Sequence, residues 1–364
     1  MSYIISYYSK LPKILLFLII TCACFGFLIL YSAGQNNLYP FAAKQIINFA
    51  IFLPIMFVIA MSNPRFIYKY AYLPLIVVLM LLVVVMLVGH TAMGATRWLS
   101  LGPIRIQPSE LAKISIVLFL ARYFHDITVN QVRSLIYLAI PSGVSIICAG
   151  LIIKQPDLGT GIIVFLVSGI MFFLAGVRQW VFWASFGSIF IVSPLIWQKL
   201  HDYQKKRIYI FLDPEQDPLD SGYNIIQSKI AIGSGGLFGR GIGEGSQAHL
   251  SFLPEHQTDF IFACLCEDLG FAGAIFLIML YTTITYLALS ISINTRTLFL
   301  KLVASGCISI FFLHFAINMG MVMGILPVVG IPLPFMSYGG TMMGSILICF
   351  GLIMNAHVNR NIKL

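Results

Sequence analysis

Apolar runs recur from one end of the chain to the other, separated by short polar or Pro/Gly-rich stretches, and about ten of them are long enough for a helix of roughly 17 to 25 residues that crosses a hydrocarbon core. Their centres fall near Phe27, Leu53, Leu81, Val117, Ile140, Val167, Phe186, Leu277, Phe312 and Leu347. The pattern predicts an all-α integral membrane protein. It forms a single polytopic domain over residues 1–364, with a large extracytoplasmic loop over 199–258 between the seventh and eighth spans. The first run begins near Ile14 after Lys10 and Lys13, as a signal peptide would. No convincing small-residue cleavage site follows and further spans come after it, so a retained first helix is expected.

An even number of spans puts both termini on one side, and the basic residues choose that side. Lys10, Lys13, Arg65, Lys69, Arg122, Arg133, Arg178, Arg296, Lys301, Arg360 and Lys363 all fall on it, which predicts cytoplasmic termini in a cytoplasmic (inner) membrane protein. Eight of the thirteen acidic residues lie in or at the end of the long connection: Asp202, Asp213, Glu215, Asp217, Asp220, Glu244, Glu255 and Asp259. Loops collect charge in any protein, but this one also carries a helical apolar pattern over 222–236 ending in a Gly-rich turn, which a spacer does not need.

Composition agrees with the pattern. The chain is 59% apolar, has a mean hydropathy of +0.93 and is only 10% charged, against roughly 25% in soluble domains. The net charge of +9 is scattered singly between apolar runs and forms no basic stripe with interleaved aromatics, so nucleic acid is not an expected partner. Seven cysteines, mostly inside apolar runs, make no disulfide framework. Cys264 and Cys266 form a CxC pair without further ligand-spaced partners, and read as small buried residues.

Four constellations could carry chemistry. Arg97-Trp98 is followed by Gln107-Pro-Ser-Glu-Leu-Ala-Lys113, where Pro108 and Ser109 suit a helix start and Glu110 and Lys113 share one helix face. Charged groups at membrane depth pair or face a water-filled cavity, so Glu110 and Lys113 are either a structural ion pair or part of a substrate path. Trp98 is an interfacial anchor or a substrate contact, and Arg97 can meet a lipid phosphate or a substrate pyrophosphate. The glycines between Gly233 and Gly245 could turn N–H groups toward an anion or simply form turns. Asp259, just before a long apolar helix, is a helix cap or a working carboxylate. The Pro/Gly-rich stretch over 326–340 reads as a re-entrant segment, because irregular backbone at membrane depth needs protein or a cavity around it. No nucleophile triad, HExxH, dinucleotide fingerprint or redox CxxC appears, which removes proteases, metallopeptidases and oxidoreductases from the front rank.

Arg97-Trp98, Gln107-Pro-Ser-Glu-Leu-Ala-Lys113, Gln155-Pro-Asp-Leu-Gly159, residues 223–241, residues 254–262 and Pro334-Phe-Met-Ser-Tyr-Gly-Gly340 together resemble the SEDS family of peptidoglycan glycosyltransferases over nearly the whole chain. Residues 227–236 and 251–255 resemble its rod-shape branch more than its division branch. The resemblance implies about ten transmembrane helices, lipid II as substrate and a class B penicillin-binding protein as transpeptidase partner beside other elongation-complex membrane proteins. It also implies a catalytic carboxylate at Asp259, with Trp98, Glu110 and Lys113 in the substrate cavity. This chain departs from the family pattern at His256-Gln257, where the His usually directly precedes Thr-Asp, and at Asp220 and Thr341.

The expected reaction joins lipid-linked disaccharides, with a general base for the acceptor hydroxyl and cations for the departing undecaprenyl pyrophosphate. Arg97, Arg207 and Lys229 are the cations expected to hold that group, and a divalent cation such as Mg2+ is a further candidate. Two other classes compete: a transporter that flips the lipid-linked precursor using Glu110 and Lys113, and a scaffold that only activates a transpeptidase.

Overall fold

The computed structural model describes residues 10–88, 90–92, 95–101, 104–199, 202–216, 221–245 and 255–363. The helices that carry the fold are α1 (Lys13–Ala33), α2 (Ala42–Met61), α3 (Leu73–Val88), α4 (Pro108–Asp126), α5 (Leu135–Lys154), α6 (Leu158–Ala175) and α7 (Gln179–Lys199). They are followed by α8 (Asp202–Leu212), α9 (Ser221–Ser234), α10 (Ile261–Ile293), α11 (Leu298–Val322) and α12 (Gly340–Val358). Every centre read from the apolar pattern lies inside one of these helices. Among the described residues, seven of them are long and apolar enough to cross a membrane: α1, α2, α5, α6, α10, α11 and α12. Outside that set stand α7, α3 with its 16 residues, and α4, which carries Glu110, Lys113, Arg122 and Asp126.

The helix ends follow local chemistry. Pro108 occupies the first turn of α4, where its missing N–H costs nothing. Asp157 caps α6 by accepting from the Thr160 N–H at 3.4 Å, and Gly176 ends that helix in a left-handed conformation. At Gly270 (φ 65°) α10 is broken within its length.

At the centre sits α11, packed against α4, α6, α10 and α12, while α12 lies along α2. Apolar side chains such as Phe17, Leu87, Ile136, Trp183 and Phe190 remain outward-facing, as on a surface whose solvent is lipid.

Two features depart from the expected picture. The connection before α4 is a small antiparallel sheet, β1 (His90–Ala92), β2 (Ala95–Leu101) and β3 (Ile104–Ile106), so the chain is not wholly α. Thr, Trp and Ile suit its pleated surface, and strands this short leave no trace in a search for long apolar runs. Among its described residues the 199–258 connection is largely helical, and α9 packs on α10 and α11. Gly94, Asp217, Asp220 and the stretch 251–254 lie outside the described residues.

Two glycines of the 233–245 segment, Gly235 and Gly239, make close backbone contacts. A Cβ at Gly235 would stand 1.9 Å from the Cys266 carbonyl oxygen, and one at Gly239 would stand 2.1 Å from that of Asp268. Arg240 and Gly241 N–H groups donate to the Glu267 and Asp268 carbonyls, each at 3.0 Å. These N–H groups are spent on α10 rather than offered to an anion.

The 323–339 connection enters the bundle as expected of a re-entrant segment. Ile331, Leu333, Phe335, Met336 and Ser337 are buried, and Gly26 in α1 admits the Phe335 carbonyl where a Cβ would come within 2.2 Å. Its polar backbone is satisfied from the surrounding helices: Tyr281 Oη donates to Pro334 O at 2.5 Å, and Gln45 Nε2 to Ser337 O at 2.8 Å.

Candidate active site

Asp259 sits in the turn 255–260 that leads into α10. The first helical turn is capped at Phe260 without a side-chain hydrogen bond, so Asp259 does not serve as the helix cap. The turn is held from outside. Tyr338 N–H donates to Gln257 O (2.9 Å), Ser337 Oγ to Thr258 O (2.5 Å) and Asn318 Nδ2 to Asp259 O (2.8 Å). Thr258 Oγ closes the turn on the Glu255 carboxylate at 2.6 Å, and His256 Nε2 meets Ala33 O at 3.1 Å.

The carboxylate of Asp259 faces Gly330, where a Cβ would lie 3.3 Å from Oδ2. Among the described residues it accepts no hydrogen bond. Its side chain is partly exposed, and the protein around it is dense. That desolvation first, and the Glu255 and Asp157 charges after it, push its pKa up to about 7 against the pull of Arg97 and Arg207. A carboxyl poised there exchanges a proton near neutral pH.

Arg97 reaches this place from β2, with its guanidinium bonded to Gln155 O (3.3 Å) and Pro156 O. The fold gives residues 155–159 a role in holding Arg97. Gln155 Nε2 ties this turn to Leu82 O of α3 at 2.8 Å, while the Asp157 carboxylate accepts from Gln107 Nε2 (3.0 Å) and Ser109 Oγ (2.8 Å) at the start of α4. Gly159 then lets the Val329 carbonyl approach where a Cβ would come within 2.8 Å. Arg207, half-buried on α8, acts on Asp259 through charge, and Trp98 is half-buried beside Arg97 on β2.

Three of the expected substrate residues lie elsewhere. Glu110 and Lys113 are paired at 2.8 Å with 3% and 0% of their surface exposed, so they line no wet cavity in this structure. Ser345 Oγ donates to the second Glu110 oxygen at 2.6 Å, and His314 Nε2 lies 2.8 Å from Lys113 Nζ. The other ring nitrogen of His314 meets only an acceptor, Ile310 O at 2.8 Å; Nδ1 therefore carries the proton and Nε2 accepts from Lys113. Lys229 is exposed on α9, its side chain crossing the Gly324 turn, and it is not among the charges acting on Asp259.

Two buried acids escaped the sequence reading, Glu267 and Asp268 in α10. Ser32 Oγ donates to Asp268 and accepts from the Gly243 N–H at 2.9 Å, so this pair fastens the glycine-rich segment to α1. Among the described residues no three His, Cys, Asp or Glu side chains gather as ligands for a metal ion.

Comparison with known proteins places the chain in a family. Residues 12–362 match the family model FtsW/RodA/SpoVE, described as cell cycle protein. The chain is 39% identical to the peptidoglycan glycosyltransferase MrdB of Escherichia coli K12 over 356 residues, 96% of this chain and 94% of the relative. A chain of a solved peptidoglycan synthase complex that coordinates polymerization and crosslinking superposes with a TM-score of 0.85 at 27% identity, covering 97% of this chain and 99% of that one. The crystal structure of the rod shape determining protein RodA of Thermus thermophilus superposes with a TM-score of 0.73 at 25% identity, covering 97% and 98%. The chain is a multi-pass membrane protein that belongs to the FtsW/RodA/SpoVE family.

Proposed function

We propose that this protein is a peptidoglycan glycosyltransferase that joins lipid II disaccharide units into glycan strands during cell elongation. The names of its relatives support the reaction class. The observation that carries the mechanism is the Asp259 carboxylate, unbonded among the described residues, with a pKa near neutrality and two arginines within electrostatic reach.

In this mechanism the acceptor sugar hydroxyl attacks the anomeric carbon of the donor while Asp259 takes its proton, an effect worth roughly 10² to 10⁴ in rate. The new C–O bond forms as the bond to the undecaprenyl pyrophosphate breaks, with inversion. The leaving pyrophosphate is a stable anion, so Arg97 and Arg207 can stabilise it without the second carboxyl acid that a glycosidase needs. Trp98 beside Arg97 offers a ring face to the substrate. Glu110 and Lys113 contribute by fixing α4 against α11 and α12, and Lys229, exposed on α9 over the Gly324 turn, stands apart from these groups.

The reading includes ten spans with both termini cytoplasmic in the inner membrane, the 199–258 segment on the outer side, and a class B penicillin-binding protein as partner. Likeness to a chain of the synthase complex supports that partner.

Purified protein supplied with lipid II tests the proposal. Wild type should form polymer. Asp259→Asn, which keeps the size of the side chain, should lose at least about 100-fold of the rate while melting no lower than wild type. Near-wild-type polymer from folded Asp259→Asn would refute the base assignment. Failure of wild type to polymerise a substrate already on its side would favour transport or scaffolding.

A further inference from the structure

Asn318 is fully buried on α11, and its amide is committed to two backbone carbonyls from different parts of the chain. Nδ2 donates to Asp259 O at 2.8 Å and to Ile331 O at 2.6 Å. Those two bonds join the turn that carries Asp259 to the turn whose Gly330 faces its carboxylate. Two carbonyls need two hydrogens on one atom, so Asp, which only accepts, and Ser or Thr, with one hydrogen each, cannot replace the amide. Orientation toward the carbonyls leaves Oδ1 buried without a hydrogen bond among the described residues. A buried acceptor left unpaired opposes folding, so the double donation is what holds this rotamer. One helical turn earlier, His314 is pinned by Lys113, which fixes the rotation of α11 that aims Asn318.

We propose that Asn318 is a positioning residue for the transfer reaction: its two N–H bonds clamp the Asp259 turn to the Gly330 turn and so set the carboxylate in its half-buried place. The inference rests on the reading of Asp259 as the base. Asn318 touches no reacting atom.

A second asparagine provides the control. Asn355 is equally buried, donates through Nδ2 to Ile59 O (2.9 Å) and Ser62 O (2.7 Å), and among the described residues also leaves Oδ1 without a hydrogen bond, but it joins α12 to the end of α2 and makes no hydrogen bond to the Asp259 turn. The two residues share a chemistry and differ in place.

Purified full-length variants should be compared for melting temperature, kcat, KM for lipid II and the pH dependence of rate. Asn318→Ala should lower kcat roughly 10- to 100-fold with KM little changed, because misplacing a reacting group by about an ångström has effects of that size. Its rising pH limb should move about one pH unit toward acid, since a freed carboxylate regains water. Asn318→Gln keeps both hydrogens on a longer arm and should recover part of the rate. Asn355→Ala should melt lower with wild-type kcat and pH limb. Wild-type kcat and an unmoved limb in folded Asn318→Ala would overturn the proposal, as would both Asn318 variants failing to fold while Asn355→Ala folds, which would assign Asn318 to folding alone. Activity in Asp259→Asn would instead remove the base reading on which the inference stands.

Discussion

At the scale of single residues, chemistry turns on how the fold treats a few charges. Asp259 has a folded pKa of about 7, raised above its ordinary value chiefly by burial. The fold therefore holds this proton more tightly than the unfolded chain does. The stability this group contributes is full below about pH 4 and is lost as pH rises through about 7. Asp259→Asn should accordingly melt higher than wild type at pH 8, by about 1 to 2 kcal/mol after discounting for partial exposure, and the gap should close by pH 4. The rate should rise with pH through about 7. Arg97 favours the ionised carboxylate, so in Arg97→Gln the rising limb should move toward alkaline pH; an acid shift or no shift would remove Arg97 from the electrostatics of the base. Glu110 and Lys113 answer to another logic. Removing one partner leaves a buried charge alone, so each single Ala variant should lose about 3 to 5 kcal/mol while the double variant loses much less than their sum. Additive losses would mean that the 2.8 Å pair is not coupled. Asp259, Arg97 and the Glu110/Lys113 pair were legible in the sequence because a charged residue at membrane depth stands out. Asn318, Asp157 and Gly330 were not, because their roles exist only across contacts such as that between residues 259 and 318.

At the scale of elements, the long apolar runs marked helices well, since hydrophobic length is a local property of the chain. Motifs of glycine were ambiguous because glycine serves several purposes, and only packing chooses among them. Gly235 lets α9 end against the carbonyl of Cys266, whereas Gly233, two residues earlier within α9, has open space where a Cβ would go. Gly235→Ala should therefore reduce folded, monodisperse protein sharply. Gly233→Ala should be neutral or slightly stabilising, by up to about 1 kcal/mol, as expected for alanine in a helix. Equal behaviour of the two in size-exclusion and melting measurements would discredit the close-contact account. The small sheet β1 to β3 escaped notice for a related reason: three-residue strands gain their definition from neighbours rather than from their own pattern.

For the whole molecule, the basic-residue asymmetry makes topology testable. Lys229 is exposed on α9, so Lys229→Cys in a background without native cysteines should react with a membrane-impermeant thiol reagent in intact spheroplasts, and protection until lysis would invert the arrangement. Membrane residence, the largely helical class and the family were all decided by the sequence by itself. Hydrophobic length, scattered charge and ordered motifs are properties that need no partner to be read. Which charges work together was decided only by the tertiary structure. It placed Arg97 and Arg207 within reach of Asp259, sealed Glu110 and Lys113 away with His314 and Ser345, and left Lys229 apart. The physical reason is that a pKa, a clamp or an ion pair depends on distances between residues far apart in the chain, and those distances are set by how α4, α10, α11 and the 323–339 segment pack.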